Sequence, residues 1–184
     1  MKNKVHFIDC GGNIGQSVEY ALQLEGIDKV DTFEPFEMNY SHITEKYGEN
    51  EKVFLHTKAV STENKSARFY VQDWGARTGS SLELGKSSTT PNKFIDVECV
   101  DICQWIRENL KEENYNIFKI DIEGTEYEVI DKILSEELDV LIDKWLIEWT
   151  PKAKLPNLDK QYMDDVIKRF ESRNPVWVDW SFHY

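Results

Sequence analysis

Two periods of hydrophobic and polar positions follow one another along the chain, and their order predicts the elements. Residues 5–9 form a short apolar run that ends in Asp9, and Ile14, Val18, Ala21 and Leu22 then recur at helical spacing. Gly26 stops that helix. Residues 29–33 read as a second strand ending at Glu34-Pro35, residues 37–47 as a helix closed by Gly48, and residues 53–60 as a third strand. The order is βαβαβ, which implies a parallel sheet with right-handed crossovers.

The middle breaks this rhythm. Residues 67–71 and 94–100 alternate as strands do, and residues 73–92 between them are polar and rich in Gly, Ser and Thr. A loop of that length in a compact domain is usually functional or mobile, so a strand pair carrying a long flap is expected. Asp101 has the position of an N-cap for a helix whose apolar face is Ile102, Trp105, Ile106 and Leu110. Next come a strand over residues 117–122, a helix marked by Val129, Ile130, Ile133 and Leu134, and a strand over 144–149. Met163, Val166, Ile167 and Phe170 mark the last helix, and residues 176–182 close the chain as an aromatic-rich strand. Trp145, Trp149, Trp177 and Trp180 read as core or sheet-face residues, and His6 as a packed core residue. No repeat or linker interrupts the pattern, so residues 1–184 read as one domain, long enough for a real core.

Charge and cysteines narrow the setting. A net charge of -12 repels phosphate backbones and argues against nucleic acid as a partner. No apolar run approaches the roughly eighteen residues of a membrane span, and Asp9 with its glycines interrupts any signal-peptide core. The three cysteines suggest no disulfide framework, so a reducing cytoplasm is expected. Cys99 and Cys103 lack a nearby histidine or further cysteine, and no histidine has a partner at metal spacing, so no metal ligand is assigned, although Asp121, Glu123 and Glu148 leave a carboxylate metal site open.

The candidate chemistry begins at residues 9–15, Asp-Cys-Gly-Gly-Asn-Ile-Gly. Glycines there let the backbone bend sharply and a ligand approach closely, and the helix start offers N–H groups to an anionic part of it. The Gly-x-Gly-x-x-Gly dinucleotide fingerprint is not met, because Asn13 and Ile14 stand where the second glycine would be. Glu34 ends the second strand nineteen residues after Gly15, where an acid can take both hydroxyls of a ribose. Ala59 and Val60 end the third strand, where an adenine edge would lie. Together these residues predict a site for a nucleoside cofactor.

Asp9, Gly11 and Gly15 meet the pattern Asp-x-Gly-x-x-x-Gly, which resembles the first motif of class I methyltransferases that use S-adenosylmethionine. Residues 118–130, Phe-Lys-Ile-Asp-Ile-Glu-Gly-Thr-Glu-Tyr-Glu-Val-Ile, resemble the signature of the FkbM-type methyltransferase family. Glu34-Pro35, Ala59-Val60-Ser61 and Gly79-Ser80-Ser81-Leu82 fit the same family, so the resemblance covers roughly residues 5–150. It implies a Rossmann-like, doubly wound α/β sheet, mostly parallel, with an antiparallel C-terminal strand and an inserted strand pair. The implied activity is S-adenosylmethionine-dependent O-methylation of a sugar, glycan or other small natural product. The resemblance puts Asp9, Gly11, Gly12, Asn13, Gly15, Glu34, Pro35, Ala59 and Val60 at the cofactor, and Asp121 and Glu123 at the reacting end. Family members commonly carry more sequence before the first strand. The pocket is therefore expected to be more open here, or covered by a partner subunit. From Pro151 onward no resemblance is evident.

A hydroxyl nucleophile must lose its proton, and a carboxylate within hydrogen-bond reach can take it. Asp121, Glu123 and Glu148, the last near the end of the next strand, are the candidates for base or substrate orienter. Trp74, Arg77 and Ser80 in the flap are candidate acceptor contacts. Two rival readings stand beside this one. A non-catalytic cofactor-binding module of the same fold would not need Asp9, Glu34, Asp121 and Glu123 together. A nicotinamide-dependent oxidoreductase conflicts with the glycine spacing.

Overall fold

The computed structural model describes residues 2, 4–72 and 79–181. It runs β1 (Val5–Cys10), α1 (Gln16–Leu22), β2 (Ile27–Phe33), α2 (Glu37–Tyr47), β3 (Val53–His56), β4 (Ala59–Ser61), β5 (Lys65–Gln72), β6 (Thr89–Asp101), α3 (Ile102–Asn109), β7 (Tyr115–Ile120), α4 (Glu126–Ser135), β8 (Lys144–Ile147), α5 (Lys160–Arg173) and β9 (Trp177–Asp179). The main sheet has the order β3-β2-β1-β7-β8-β9, and every neighbouring pair is parallel. Successive side chains of a strand point to opposite faces, so the central strands supply two cores at once. Ile8, Phe33, Phe118, Ile120 and Trp145 face α3, α4 and α5, while Phe7, Val30, Ile117 and Leu146 face α1 and α2. Among the described residues no helix is long and apolar enough to cross a membrane.

Strand order reverses between β1 and β7, the second central strand. In open sheets of this kind the gap at the strands' carboxyl ends is where ligands bind. The expected strand pair is present as β5 and β6, antiparallel, and it forms a second sheet with β4. Asp101 caps α3 as predicted, accepting hydrogen bonds from the Cys103 and Gln104 N–H groups at 3.0 and 3.3 Å.

Two expectations are corrected. The run over residues 53–60 is two strands, because exposed Thr57 and Lys58 let the chain leave the main sheet. β3 pairs with β2, whereas β4 pairs with β6. The C-terminal strand is parallel, not antiparallel: α5 returns the chain to the starting end of the sheet, so β9 runs alongside β8 in the same direction.

His6 is buried, as expected, and carries a polar load. Its Nε2 lies 2.6 Å from Asp31 on β2, and His56 on β3 meets the other Asp31 oxygen at 2.7 Å, which links three strands. Burial pushes the Asp31 carboxyl up, but hydrogen bonds from His56, His6 and Lys29 overcome it and hold it well below the usual carboxylate range. Trp145 and Trp180 are buried, and Trp149 and Trp177 pack against the cores. Phe170 of α5 touches Trp145, Trp149 and Trp177 with ring centroids 5.2–6.2 Å apart, so it fastens the last helix to the sheet. Phe170→Ala should cost about 3–5 kcal/mol in urea unfolding. A loss below about 1 kcal/mol would contradict this packing role.

Candidate active site

The turn after β1 and the turn after β7 meet with no room for a side chain. Gly11 has φ of 96°, and a Cβ there would sit 1.9 Å from the Asp121 carbonyl oxygen. The N–H groups of Gly11 and Gly12 donate to the Phe33 carbonyl at 3.1 and 2.9 Å, and the Asp121 N–H donates to the Cys10 carbonyl at 3.0 Å. Three strand ends are thereby stitched into one rim.

Beneath this rim lies a buried cluster of charges. Asp9 is fully buried, and its Oδ2 accepts from Ser17 Oγ at 2.6 Å and Thr32 Oγ1 at 2.7 Å. Its Oδ1 lies 3.1 Å from the Nζ of Lys119, which is also fully buried. Lys119 donates to the Gly11 carbonyl at 2.5 Å and stands 3.5 Å from Asp121. Asp9 therefore faces inward and holds the turn from below; it does not line the cavity, and neither do Gly12 and Gly15. The sequence reading gave Lys119 no role. The available signal was a lysine between Phe118 and Ile120 in an apolar central strand, where a buried charge needs a partner.

Above the rim is a cavity of about 280 Å³, a size suited to a small molecule. Asn13, Glu34, Pro35, Ala59 and Val60 line the end beside β2 and β4, and Gly11 lines it against the Asp121 backbone, so the structure brings these predicted residues together. Glu34 is nearly buried at the tip of β2. Its two oxygens accept from the backbone N–H groups of Asn13 and Phe36, each at 2.9 Å. Burial pushes its carboxyl up to about 7, against the opposing pull of those N–H groups. Asn13 Oδ1 and, further along the wall, Thr125 Oγ1 are buried with no hydrogen-bond partner among the described residues. Orphaned polar atoms in a cavity wall are sites for a ligand or water.

The other end holds Asp121, Glu123 and Glu148, with Ser80 of the flap. Glu123 takes a left-handed backbone (φ 60°), an uncommon conformation for this residue type. Its carboxylate is paired with the buried Lys86 of the flap, and its carbonyl accepts from Ser81 Oγ at 2.6 Å. Burial raises the Glu123 carboxyl, with Lys86 pulling the other way. Glu148 has no hydrogen bond or ion pair to its carboxylate among the described residues. Burial, then the charges of Asp121 and Glu123, push it up to about 7. Ser80 Oγ accepts from the Gln72 N–H at 3.1 Å, whereas Trp74 and Arg77 lie outside the described residues. Among the described residues no group of three His, Cys, Asp or Glu side chains is placed to hold a metal ion.

Glu126, also missed by the sequence reading, is fully buried below the site. It accepts from the N–H groups of Gly124 at 2.7 Å and Thr150 at 2.6 Å, and so ties the Glu123-Gly124 turn to the exit of β8. Burial pushes its carboxyl up to about 7. Cys10 is buried in the core and does not reach the cavity.

A family model described as "Methyltransferase FkbM domain" matches residues 9–174. The chain belongs to the FkbM methyltransferase family. The match extends past residue 150, so this FkbM domain takes in much of the C-terminal segment where the sequence showed no resemblance. Among solved structures the chain is similar to a crystal structure described as Methyltransferase FkbM from Methylobacillus flagellatus KT, with a TM-score of 0.54 and 15% identity. The likeness covers 90% of this chain but only 38% of that one, and at this identity it speaks for the fold alone. No curated protein matches the chain.

Glu34, Glu126 and Glu148, three of the carboxyls that burial raises in this FkbM domain, fix the sign of a pH effect. Glu34, Glu126 and Glu148 titrate near about 7 when folded, against an ordinary value of 4.5. Between those values the folded state keeps protons that the unfolded chain has released. Stability therefore falls as pH rises through that window and is flat beyond it. Calorimetry should give a higher Tm at about pH 5 than at about pH 8. A Tm that climbs across the same interval would contradict the burial of these groups.

Proposed function

We propose that this FkbM domain transfers a methyl group from S-adenosylmethionine to a hydroxyl of a sugar, glycan or other small natural product. The observation that carries the reading is one cavity lined by Glu34, which follows β2, and by Glu148, which follows β8 and whose carboxylate has no partner among the described residues. The cofactor, when bound, supplies an electrophilic methyl on a sulfonium whose departure needs little assistance, which leaves positioning and proton removal to the protein.

The residues present fit such a group. Glu34 Oε1 is held by the Phe36 N–H and Asn39 Nδ2, while Oε2 is fixed by the Asn13 N–H alone and keeps a lone pair for a ribose hydroxyl. Asn13 Oδ1, orphaned beside Glu34, can accept from a hydroxyl or ammonium. Phe33, Ala59, Val60 and Phe69 offer apolar walls to a base. At the far end Glu148 is assigned the proton of the acceptor hydroxyl, since a base is most effective when it titrates near the working pH. Asp121 stands beside Lys119 and Glu123 is paired with Lys86, so both suit hydrogen bonding to the acceptor better than proton uptake. We place the whole of residues 1–184 in one domain and its setting in the cytoplasm, in keeping with three buried free cysteines.

Thermal shift with S-adenosylmethionine, S-adenosylhomocysteine and NAD tests the reading. Either methionine cofactor at about a hundred times its Kd should stabilise the fold by roughly 2.7 kcal/mol, and NAD should not. A shift with NAD alone would overturn it.

A further inference from the structure

The flap carries a feature that the proposed chemistry does not by itself require. Lys86 is one of the largest fully buried side chains of the molecule, yet it lies in a turn-rich segment between Gly79 and the start of β6. A lysine side chain is almost never fully buried unless its charge is matched. Its Nζ donates to the Gly79 carbonyl at 3.0 Å and to the carboxylate of Glu123. One side chain thus joins the flap to the left-handed turn that follows β7. We infer that Lys86 is a positioning residue: it holds Glu123 ionised and in place at the acceptor end of the cavity, and it pins the flap across that end. The inference rests on the reading of that end as the acceptor site.

Several independent contacts converge on the same seam. Ser81 Oγ donates to the Glu123 carbonyl at 2.6 Å. The Ser87 N–H donates to the Lys154 carbonyl at 3.0 Å, and Asn157 Nδ2 donates to the Leu84 carbonyl at 2.7 Å. A Cβ on Gly124 would stand 2.8 Å from Leu155 and 2.9 Å from Glu83, so the flap, the turn and the loop after β8 are in tight contact. Removing Lys86 would therefore affect both a charge and a docked segment.

The charges around Glu123 explain why a dedicated cation is needed. Asp121 faces it from the end of β7 and raises its carboxyl, while Lys86 and the more distant Lys154 lower it. Glu148, from the end of β8, feels both acids. Lys119 is already engaged by Asp9 and the Gly11 carbonyl. Without Lys86, three carboxylates would crowd one half-buried end, and Glu123 would take up a proton. With it, Glu123 stays an acceptor of hydrogen bonds, and Glu148 is left as the acid with no partner among the described residues.

Carboxyl ¹³C NMR of glutamate-labelled protein tests this, with Glu123→Gln assigning the resonance. Lys86→Met should raise the Glu123 titration midpoint by roughly one to three pH units, and Lys86→Arg should restore it. In Lys86→Met the amides of Ser81 and Ser87 should also exchange about tenfold faster than in the parent chain. An unchanged Glu123 midpoint in Lys86→Met would overturn the inference. If Lys86→Met alone fails to melt cooperatively, Lys86→Met/Glu123→Met should recover a cooperative melt by removing the orphaned acid. Absence of recovery would also overturn it, since a lysine that only fills space would show no such coupling. Titrating the same samples with S-adenosylmethionine separates the two readings. If the parent chain does not bind the cofactor, the methyltransferase proposal fails, while the Glu123 midpoint still decides the role of Lys86.

Discussion

The cavity exists because a lysine is buried at the centre of the sheet. Lys119 rises from β7 into the gap where strand order reverses and is answered there by Asp9, the Gly11 carbonyl and Asp121. Burying such a charge costs several kcal/mol unless partners surround it. The two turns that supply those partners are thus required to come together. Gly11 permits it, since any side chain at that position would collide with the Asp121 backbone. Ser17 and Thr32 complete the shell by donating to Asp9, so α1 and β2 are drawn into the same arrangement.

From that base the site divides by charge. The β2 end presents a single acid, Glu34, fixed by backbone N–H groups beside apolar walls. The β7 and β8 end presents three acids, and the described residues pair cations with them unequally: Lys119 beside Asp121, Lys86 on Glu123, and no ion pair on Glu148. Burial raises the carboxyls of both Glu123 and Glu148, and Lys86 opposes the rise at Glu123. Glu126 underlies this end and links its turn to the exit of β8.

Much of this was legible in the sequence. The βαβαβ order followed from apolar periodicity, and the residues at the ends of three strands, Asn13, Glu34 and Ala59-Val60, do share one cavity wall. Asp9 was legible as important but not in its orientation. A strand-end acid can turn toward a ligand or into the sheet, and only the buried Lys119 decides between them. The break after His56 was hidden because β3 and β4 are both apolar, and period alone does not reveal a change of sheet. The direction of β9 depends on the crossover by α5, which local pattern does not encode. Lys86 looked like an ordinary flap lysine because its partner, Glu123, is 37 positions away.

Native-state hydrogen exchange in Lys119→Met bears most directly on the claim that this one lysine holds the two turns together. The amides of Gly12 and Asp121, bonded to Phe33 and Cys10 across the rim, are the reporters, and strand amides such as that of Phe118 are the internal reference. The account predicts that both rim amides lose protection by about tenfold or more relative to the strands. Rim amides that stay as protected as the strands would show that the turns hold together without Lys119, and would contradict it.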